Sequence, residues 1–326
     1  MVAALGNKGI SSCVLTGQQA GFVTDGCYGE AEVVDCRPEK VYDSLAKGKV
    51  PVITGFQGMN NSGELNTLGR GGSDITAVIL GAALKAERVE IYTDVSGIMT
   101  ADPVILKEAR VIEQITYGEV CQLAYEGAKV IHPRAVEVAM RNNIAVVVRS
   151  PGDSAPGTLI TGESSLLQEG SYSTRGRRAV TGIAHSENLV QFLIELKEPD
   201  PLRELEIFQQ IGEANINIDL IGVFPWIKAF TVEEEYCNRV EKILKLLGLT
   251  YRMEKDCAKV SVVGVGMHSI PGVMARVMKA LNQHNIEILQ SGDSNITISL
   301  LVKKDNLCRA VKILHDTFNL ENSKSI

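Results

Sequence analysis

Thr67-Leu68-Gly69-Arg70-Gly71-Gly72-Ser73-Asp74 is the stretch on which the fold of this chain turns. It sets a cation, two adjacent glycines, a hydroxyl and a carboxylate within residues 70–74. The residues that follow, Ile75 to Leu84, read as a helix. Ser73 or Asp74 can cap that helix by accepting its first N–H groups. Gly71 and Gly72 let the backbone approach a ligand closely. A helix N-terminus behind a glycine turn favours anions, and the Arg70 fork suits a carboxylate or a phosphate. The same letters also fit an ordinary glycine turn with a capped helix.

Outward from this loop, residues 1–160 alternate short apolar runs with helical stretches. Strands are predicted at Ser12–Thr16, Glu32–Cys36, Val50–Thr54, Val89–Thr93 and Ala145–Arg149. Helices are predicted at Lys40–Lys47, Ile75–Leu84, Tyr117–Glu126 and Ala135–Arg141, the last opened by Pro133. Near-continuous apolar strands separated by helices mean an α/β fold whose largely parallel sheet is covered on both faces. Ligands in such folds gather beyond the carboxyl ends of the strands, where Gly55-Phe56-Gln57-Gly58 and Asp94-Val95-Ser96-Gly97 stand. Residues 166–180 lose the pattern and read as a linker. Beyond them the chain repeats itself: Ile207 to Ile218 aligns with Val277 to Ile288, and Val277 stands 70 positions after Ile207. Each copy reads strand, helix, strand, strand, helix, strand, so two small βαββαβ domains in tandem are expected.

The chain has 326 residues, 45% of them hydrophobic, and a formal charge of −6. Two or three domains fit that length. The acidic balance argues against a nucleic-acid partner, and no apolar run is long enough to span a membrane. Met1 to Lys8 shows no charged region ahead of an apolar stretch, so no signal peptide is expected. The seven cysteines are scattered, with no C-x-x-C pair. A reduced cytoplasmic protein with buried thiols and no protein-held metal site follows from that usage.

Taken together, the motifs resemble the aspartokinase family across essentially the whole chain. The family is similar in Thr-Leu-Gly-Arg-Gly-Gly-Ser-Asp (67–74), in Thr-Asp-Val-x-Gly (Thr93 to Gly97), in Thr-x-Asp-Pro (Thr100 to Pro103) and in Gly-Ala-Lys-Val-x-His-Pro (Gly127 to Pro133). The resemblance implies a three-layer, parallel-centred sheet of amino-acid kinase type, N-terminally truncated, over 1–165. It implies a linker at 166–180 and two ferredoxin-like ACT domains, 181–255 and 256–326, with exchange of strands between them allowed. The wording around Cys257 to Gln290 is most similar to the monofunctional members tied to diaminopimelate and lysine supply. The implied reaction is ATP-dependent phosphorylation of the side-chain carboxylate of L-aspartate to 4-phospho-L-aspartate. Arg70 and Asp74 are then the expected catalytic residues, and Arg70, Gly71, Gly72 and Ser73 the expected substrate contacts. ATP contacts are expected at Thr93, Asp94, Met99, Asp102, Val104 and Lys129. Mg²⁺ is expected to ride on the phosphates rather than in a protein cage. His132, ahead of Pro133, reads as a capping or packing histidine.

An amino-acid effector (lysine, diaminopimelate or threonine) is expected beside Ser269, Gly272, Val273, Ile286 and Gln290 of the second repeat. The matching stretch of the first, Glu198-Pro199-Asp200-Pro201-Leu202, is acidic and repels a carboxylate. A homo-oligomer through the ACT domains is expected as well. The family's Lys-Phe-Gly-Gly-Thr phosphate loop occurs nowhere in the 326 residues, and Val104 stands where an arginine is common. Little or no kinase activity is therefore expected of this polypeptide alone. The alternative is a non-catalytic regulatory chain that binds an amino acid.

Overall fold

The computed structural model describes residues 1–128, 130–162, 179–265, 267 and 270–321. They form two compact units: Met1–Ile98 with Val111–Tyr125 and Lys129–Thr174, and Met99–Arg110 with Glu126–Ala128 and Arg175–Ile326.

In order along the first unit run α1 (Val2–Asn7), β1 (Ser12–Leu15), β2 (Phe22–Thr24), β3 (Val33–Cys36), α2 (Glu39–Ala46), β4 (Val50–Ile53), β5 (Gln57–Met59) and β6 (Leu65–Thr67). Then come α3 (Gly72–Ala83), β7 (Arg88–Tyr92), β8 (Gln114–Thr116), α4 (Tyr117–Tyr125), α5 (Pro133–Arg141), β9 (Ala145–Arg149) and β10 (Thr158–Thr161). Four of the five apolar runs legible in the sequence are parallel strands, β1 pairing with β4 and β7 with β9, while the fifth, β3, runs antiparallel to β2. Val146 and Val148 of β9 are fully buried, as a strand covered on both faces requires. The pairing is nonetheless mixed. β10 runs antiparallel to β9 and parallel to β8, giving the order β7-β9-β10-β8. Pro151-Gly152 and Pro156-Gly157 reverse the chain between β9 and β10. A further four-stranded sheet, β3-β2-β5-β6, is built from strands of three or four residues.

The second unit contains β11 (Gly182–Glu195), α6 (Pro201–Glu213), β12 (Asp219–Val223), β13 (Ile227–Glu233), α7 (Cys237–Leu246), β14 (Thr250–Val263), α8 (Val273–Gln283), β15 (Gln290–Asp293), β16 (Thr297–Lys303) and α9 (Leu307–Thr317). Its strands form one antiparallel sheet in the order β12-β13-β11-β14-β16-β15. The repeat is visible in space: β16 begins and ends 70 residues after β13.

The two copies exchange strands. β11 and β14 pair antiparallel from Gly182 opposite Val263 to Glu195 opposite Thr250. Leu189 to Glu195 opens the first copy, while Gly182 to Ser186 closes the second; β14 is divided in the same way. The register shifts between Ser186 and Leu189, with Asn188 at φ +58 and Asp256 at φ +54, marking where each long strand changes allegiance.

Alternate residues of the two strands face the helices. Val190, Phe192 and Ile194 pack on Ile207, Ile211, Val240 and Leu244. Phe192 stacks on Phe230 with ring centroids 5.7 Å apart. Ala258, Val260 and Val262 pack on Val277, Leu281, Val311 and Leu314. Ala101, Leu106 and Ala109, which lie in the middle of the kinase-like sequence, complete this second core. Each fully buried aliphatic or aromatic side chain contributes about 1.5–3 kcal/mol of transfer free energy, an upper estimate.

Candidate functional site

The glycine-rich loop is held from three directions inside the first unit. Beyond β4 the chain runs into Phe56, whose N–H donates to Thr76 Oγ1 at 3.0 Å and whose carbonyl accepts from Leu68 N at 3.1 Å. The Thr76 hydroxyl donates in turn to the carbonyl of Gly72. Gly69 accepts from Gly72 N at 3.1 Å, which closes the turn.

α3 begins earlier than the sequence indicated, at Gly72. Its N-cap is Gly71, in the left-handed region at φ +70, with no side-chain cap. Neither Ser73 nor Asp74 caps the helix. Both lie in its first turn, where the Asp74 carboxylate still complements the helix dipole. The left-handed turn at Gly71 brings its backbone against another motif. A Cβ there would stand 2.3 Å from Cβ and Cγ of His132. His132 is the N-cap of α5, its Nδ1 accepting from Arg134 N at 3.3 Å, and its own N–H points at Asp74 Oδ2 at 3.5 Å. The N-termini of α3 and α5 thus converge on Gly71, Asp74 and His132. At α5 Pro133 has no N–H and the Arg134 N–H is taken by His132, so at this convergence the helix end left to favour an anion is that of α3.

Arg70 and Ser73 are exposed at the edge of this convergence. Among the described residues Arg70 makes no ion pair, which leaves its guanidinium available. Arg134 is engaged by Glu32 at 3.0 Å. Thr93 and Asp94 follow β7 at its carboxyl end; the Thr93 hydroxyl donates to Asp94 Oδ1 at 3.0 Å, and Thr93 N donates to the Arg149 carbonyl. Beside them lies a cluster that sequence reasoning missed. Arg149 pairs with Glu90 at 2.7 Å and lies 5.1 Å from the ring centroid of Tyr92. Tyr92 OH donates to Glu90, and this bond, with Arg88 and Arg149, holds the Glu90 carboxyl below its usual range.

The remaining expected nucleotide residues are placed differently. Met99, Asp102 and Val104 belong to the second unit. Met99 packs against the second repeat's core. Asp102 Oδ1 accepts from Val104 N at 2.8 Å, and the Val104 side chain is 90% exposed. Lys129 lies outside the described residues.

Of the expected effector neighbours, Ser269 also lies outside the described residues. Gly272 precedes α8. Val273 and Ile286 have their side chains in the second repeat's core, and the Ile286 N–H is donated to the Leu281 carbonyl. Gln290 is engaged on both sides, its amide donating to the Leu220 carbonyl and accepting from Gln191 at 2.8 Å. In the first repeat, Asp200 occupies its own helix N-terminus, accepting from Leu202 N and Arg203 N.

Among the described residues no group of three or more His, Cys, Asp or Glu is arranged to hold a metal. The cysteines are free: Cys237 and Cys257 are buried, Cys27 and Cys308 exposed. Burial pushes the Cys36 and Cys121 thiols up to about 11, so neither is a thiolate near neutral pH. No helix among the described residues is long and apolar enough to cross a membrane.

Comparison with known proteins sets this geometry in a class. Residues 1–150 match the amino acid kinase family and residues 252–316 match the ACT domain. Aspartokinase 1 of Bacillus subtilis (strain 168) is 39% identical over 314 residues, covering 96% of this chain and 77% of that protein. Aspartate kinase of Clostridium acetobutylicum superposes with a TM-score of 0.82 at 25% identity, over 94% of this chain and 71% of that one. E. coli aspartokinase III, solved with aspartate and ADP in its R-state, superposes with a TM-score of 0.73 at 28% identity, over 97% of this chain and 72% of that one. The class is that of amino-acid kinases carrying ACT repeats. Within it, the chain belongs to the aspartokinase family.

Proposed function

We propose that this chain carries the aspartokinase reaction, transfer of the ATP γ-phosphoryl group to the side-chain carboxylate of L-aspartate, governed by an amino acid bound to the ACT repeats. The observation that carries the reading is the convergence of the α3 and α5 N-termini at Gly71 and His132, with Arg70, which makes no ion pair among the described residues, next to it in the chain. Phosphoryl transfer asks the protein for positioning and neutralisation of charge rather than covalent participation. Arg70 grips the aspartate, with Ser73 and the amides of Gly71 and Gly72 completing the cradle. Asp74, already turned toward the His132 N–H, orients the ammonium end of the substrate. A carboxylate oxygen then bonds to the γ-phosphorus as the bridging bond to ADP breaks. Thr93, Asp94 and Lys129 serve the nucleotide. Mg²⁺ carried on the phosphates would lower the negative charge on their oxygens. A cytoplasmic, lysine- or diaminopimelate-linked enzyme assembling through its ACT repeats is the biological setting of this reading.

One sequence observation favours a second reading. With no Lys-Phe-Gly-Gly-Thr loop in the 326 residues, the phosphates lack one cradle, and the chain would bind an amino acid without turnover. A coupled ADP-release assay with aspartate and ATP, run alone and with a supplied N-terminal segment containing that loop, separates the two. Turnover in either setting supports the kinase reading; none in both, with calorimetric binding of lysine, threonine or meso-diaminopimelate, supports the regulatory one.

A further inference from the structure

At the carboxyl ends of β7 and β9 lies a cluster that the reaction as derived above leaves unused. The two strands run in parallel register, with Glu90 opposite Val147 and Tyr92 opposite Arg149. Arg88, Glu90 and Tyr92 alternate along β7 and so share one face of it. Glu90 is the hub on that face. Its Oε1 accepts from Arg88 Nε at 2.9 Å, and its Oε2 accepts from the Tyr92 hydroxyl and from Arg149 Nη2, each at 2.7 Å. Arg149 Nη2 also donates to the Tyr92 hydroxyl oxygen at 2.6 Å. The other face carries Val89, Ile91, Val146 and Val148, all buried.

Arg149 acts on β7 through its backbone as well. Its carbonyl accepts from Thr93 N at 3.0 Å, just beyond the paired residues, and the Thr93 hydroxyl donates to Asp94 Oδ1 at 3.0 Å. Side chain and carbonyl of one residue thus hold β7 at the point where it hands over to Thr93 and Asp94. All of these residues belong to the first unit. Stability alone does not explain the arrangement. Arg149 Nε is buried with no hydrogen-bond partner among the described residues, and an orphaned donor on a charged group is costly. The pair with Glu90, its side chains 29% and 23% exposed, returns little against that cost. What the converging hydrogen bonds do supply is a fixed strand end, in a place where strands otherwise fray.

We propose that Arg149 is a positioning residue for nucleotide binding: braced on Glu90 and Tyr92, it pins the end of β7 and so presents Thr93 and Asp94 in a single geometry. The inference rests on the reading of Thr93 and Asp94 as nucleotide contacts. Groups ordered before a ligand arrives need no ordering when it binds, so the brace raises affinity without touching the ligand.

The test is calorimetric titration of the full chain with ADP and Mg²⁺, and separately with aspartate. Arg149→Met keeps the aliphatic stem and the carbonyl and loses the guanidinium. It should weaken ADP binding about tenfold and leave aspartate affinity unchanged, whereas general loosening of the unit would weaken both. Arg149→Lys keeps a cation for Glu90 and should limit the loss to about threefold. Tyr92→Phe removes only the hydroxyl; it should cost about threefold alone and nothing further when combined with Arg149→Met. Exchange of the Thr93 amide proton should quicken in Arg149→Met and in Tyr92→Phe, with the amides of residues 72–83 unchanged. Tyr92→Phe alters an exposed ring, so it answers the question if Arg149→Met does not fold. A chain that binds no ADP overturns the nucleotide reading and the inference with it, and Thr93 exchange then still reports whether the brace exists. ADP binding that is unchanged in the folded variants, or that falls together with aspartate binding, overturns the positioning role.

Discussion

Gly71→Ala tests whether the glycine loop and the Gly127–Pro133 motif are joined as described. Two costs follow from the geometry. Holding an L-residue in the left-handed region costs about 1–2 kcal/mol. The new methyl would also stand 2.3 Å from His132 Cβ and Cγ, and relieving such overpacking costs about 1–3 kcal/mol. A loss of about 3 kcal/mol is expected, or a Tm lower by about 6–12 °C at about 2–4 °C per kcal/mol for a unit of this size. The decisive measurement is a double-mutant cycle by urea denaturation. His132→Gly removes the Cβ as well as the ring and loses the side-chain cap on Arg134 N, at about 1 kcal/mol or less. In the double variant the methyl has room, so only the backbone strain and the lost cap remain. The pair should therefore be less destabilised than the two single changes added together, with a coupling of about 2 kcal/mol. Strict additivity would refute the packing of Gly71 on His132, and with it the convergence of the two helix N-termini.

Arg70→Ala should leave stability within about 0.5 kcal/mol, because the side chain is exposed and makes no ion pair among the described residues, while calorimetric aspartate binding collapses. Retained aspartate affinity would count against the cradle. His315 is fully buried, with Nε2 3.0 Å from Thr100 Oγ1, and burial lowers its pKa below 6.5 against weaker opposition from Asp316, Glu321 and Glu108. The folded state thus resists the proton that the unfolded state accepts, so stability of the second unit should fall as pH drops below about 6.5. His315→Asn should flatten that slope in denaturation curves taken between pH 7 and 5. Phe192→Ala removes the ring stacked on Phe230 and should cost about 3–5 kcal/mol, measured as a drop in the urea midpoint of the second unit.

How much of this was legible in the sequence depended on the kind of contact. β9 announced itself because a strand buried on both faces leaves a continuous apolar run, and Ala145–Arg149 was read to the residue; β1, β4 and β7 were legible as apolar runs although Val14, Val50 and Tyr92 are exposed. β5, Gln57-Gly58-Met59, has neither alternation nor length, so no period reveals it. His132 was expected to cap or pack, and it does both, but nothing in the spacing says that it packs on Gly71. Ala101, Leu106 and Ala109 sit among charged residues without a period, which hid their place in the core of the second repeat. Glu126 was read as the end of the helix begun at Tyr117, and nothing in the sequence singled out Lys259. Their pairing joins residues 133 positions apart, and its cause is burial, which sequence pattern does not report.

The shared strands β11 and β14 govern how the C-terminal half is made. Gly182 to Ser186 leaves the ribosome early, yet its partners lie between Lys259 and Val263, after the whole first repeat. During synthesis that stretch waits as an open edge beside an already folding neighbour. The first repeat can therefore close before the second, and a nascent chain halted near Asp256 holds a completed first repeat with a loose strand in search of any edge to join.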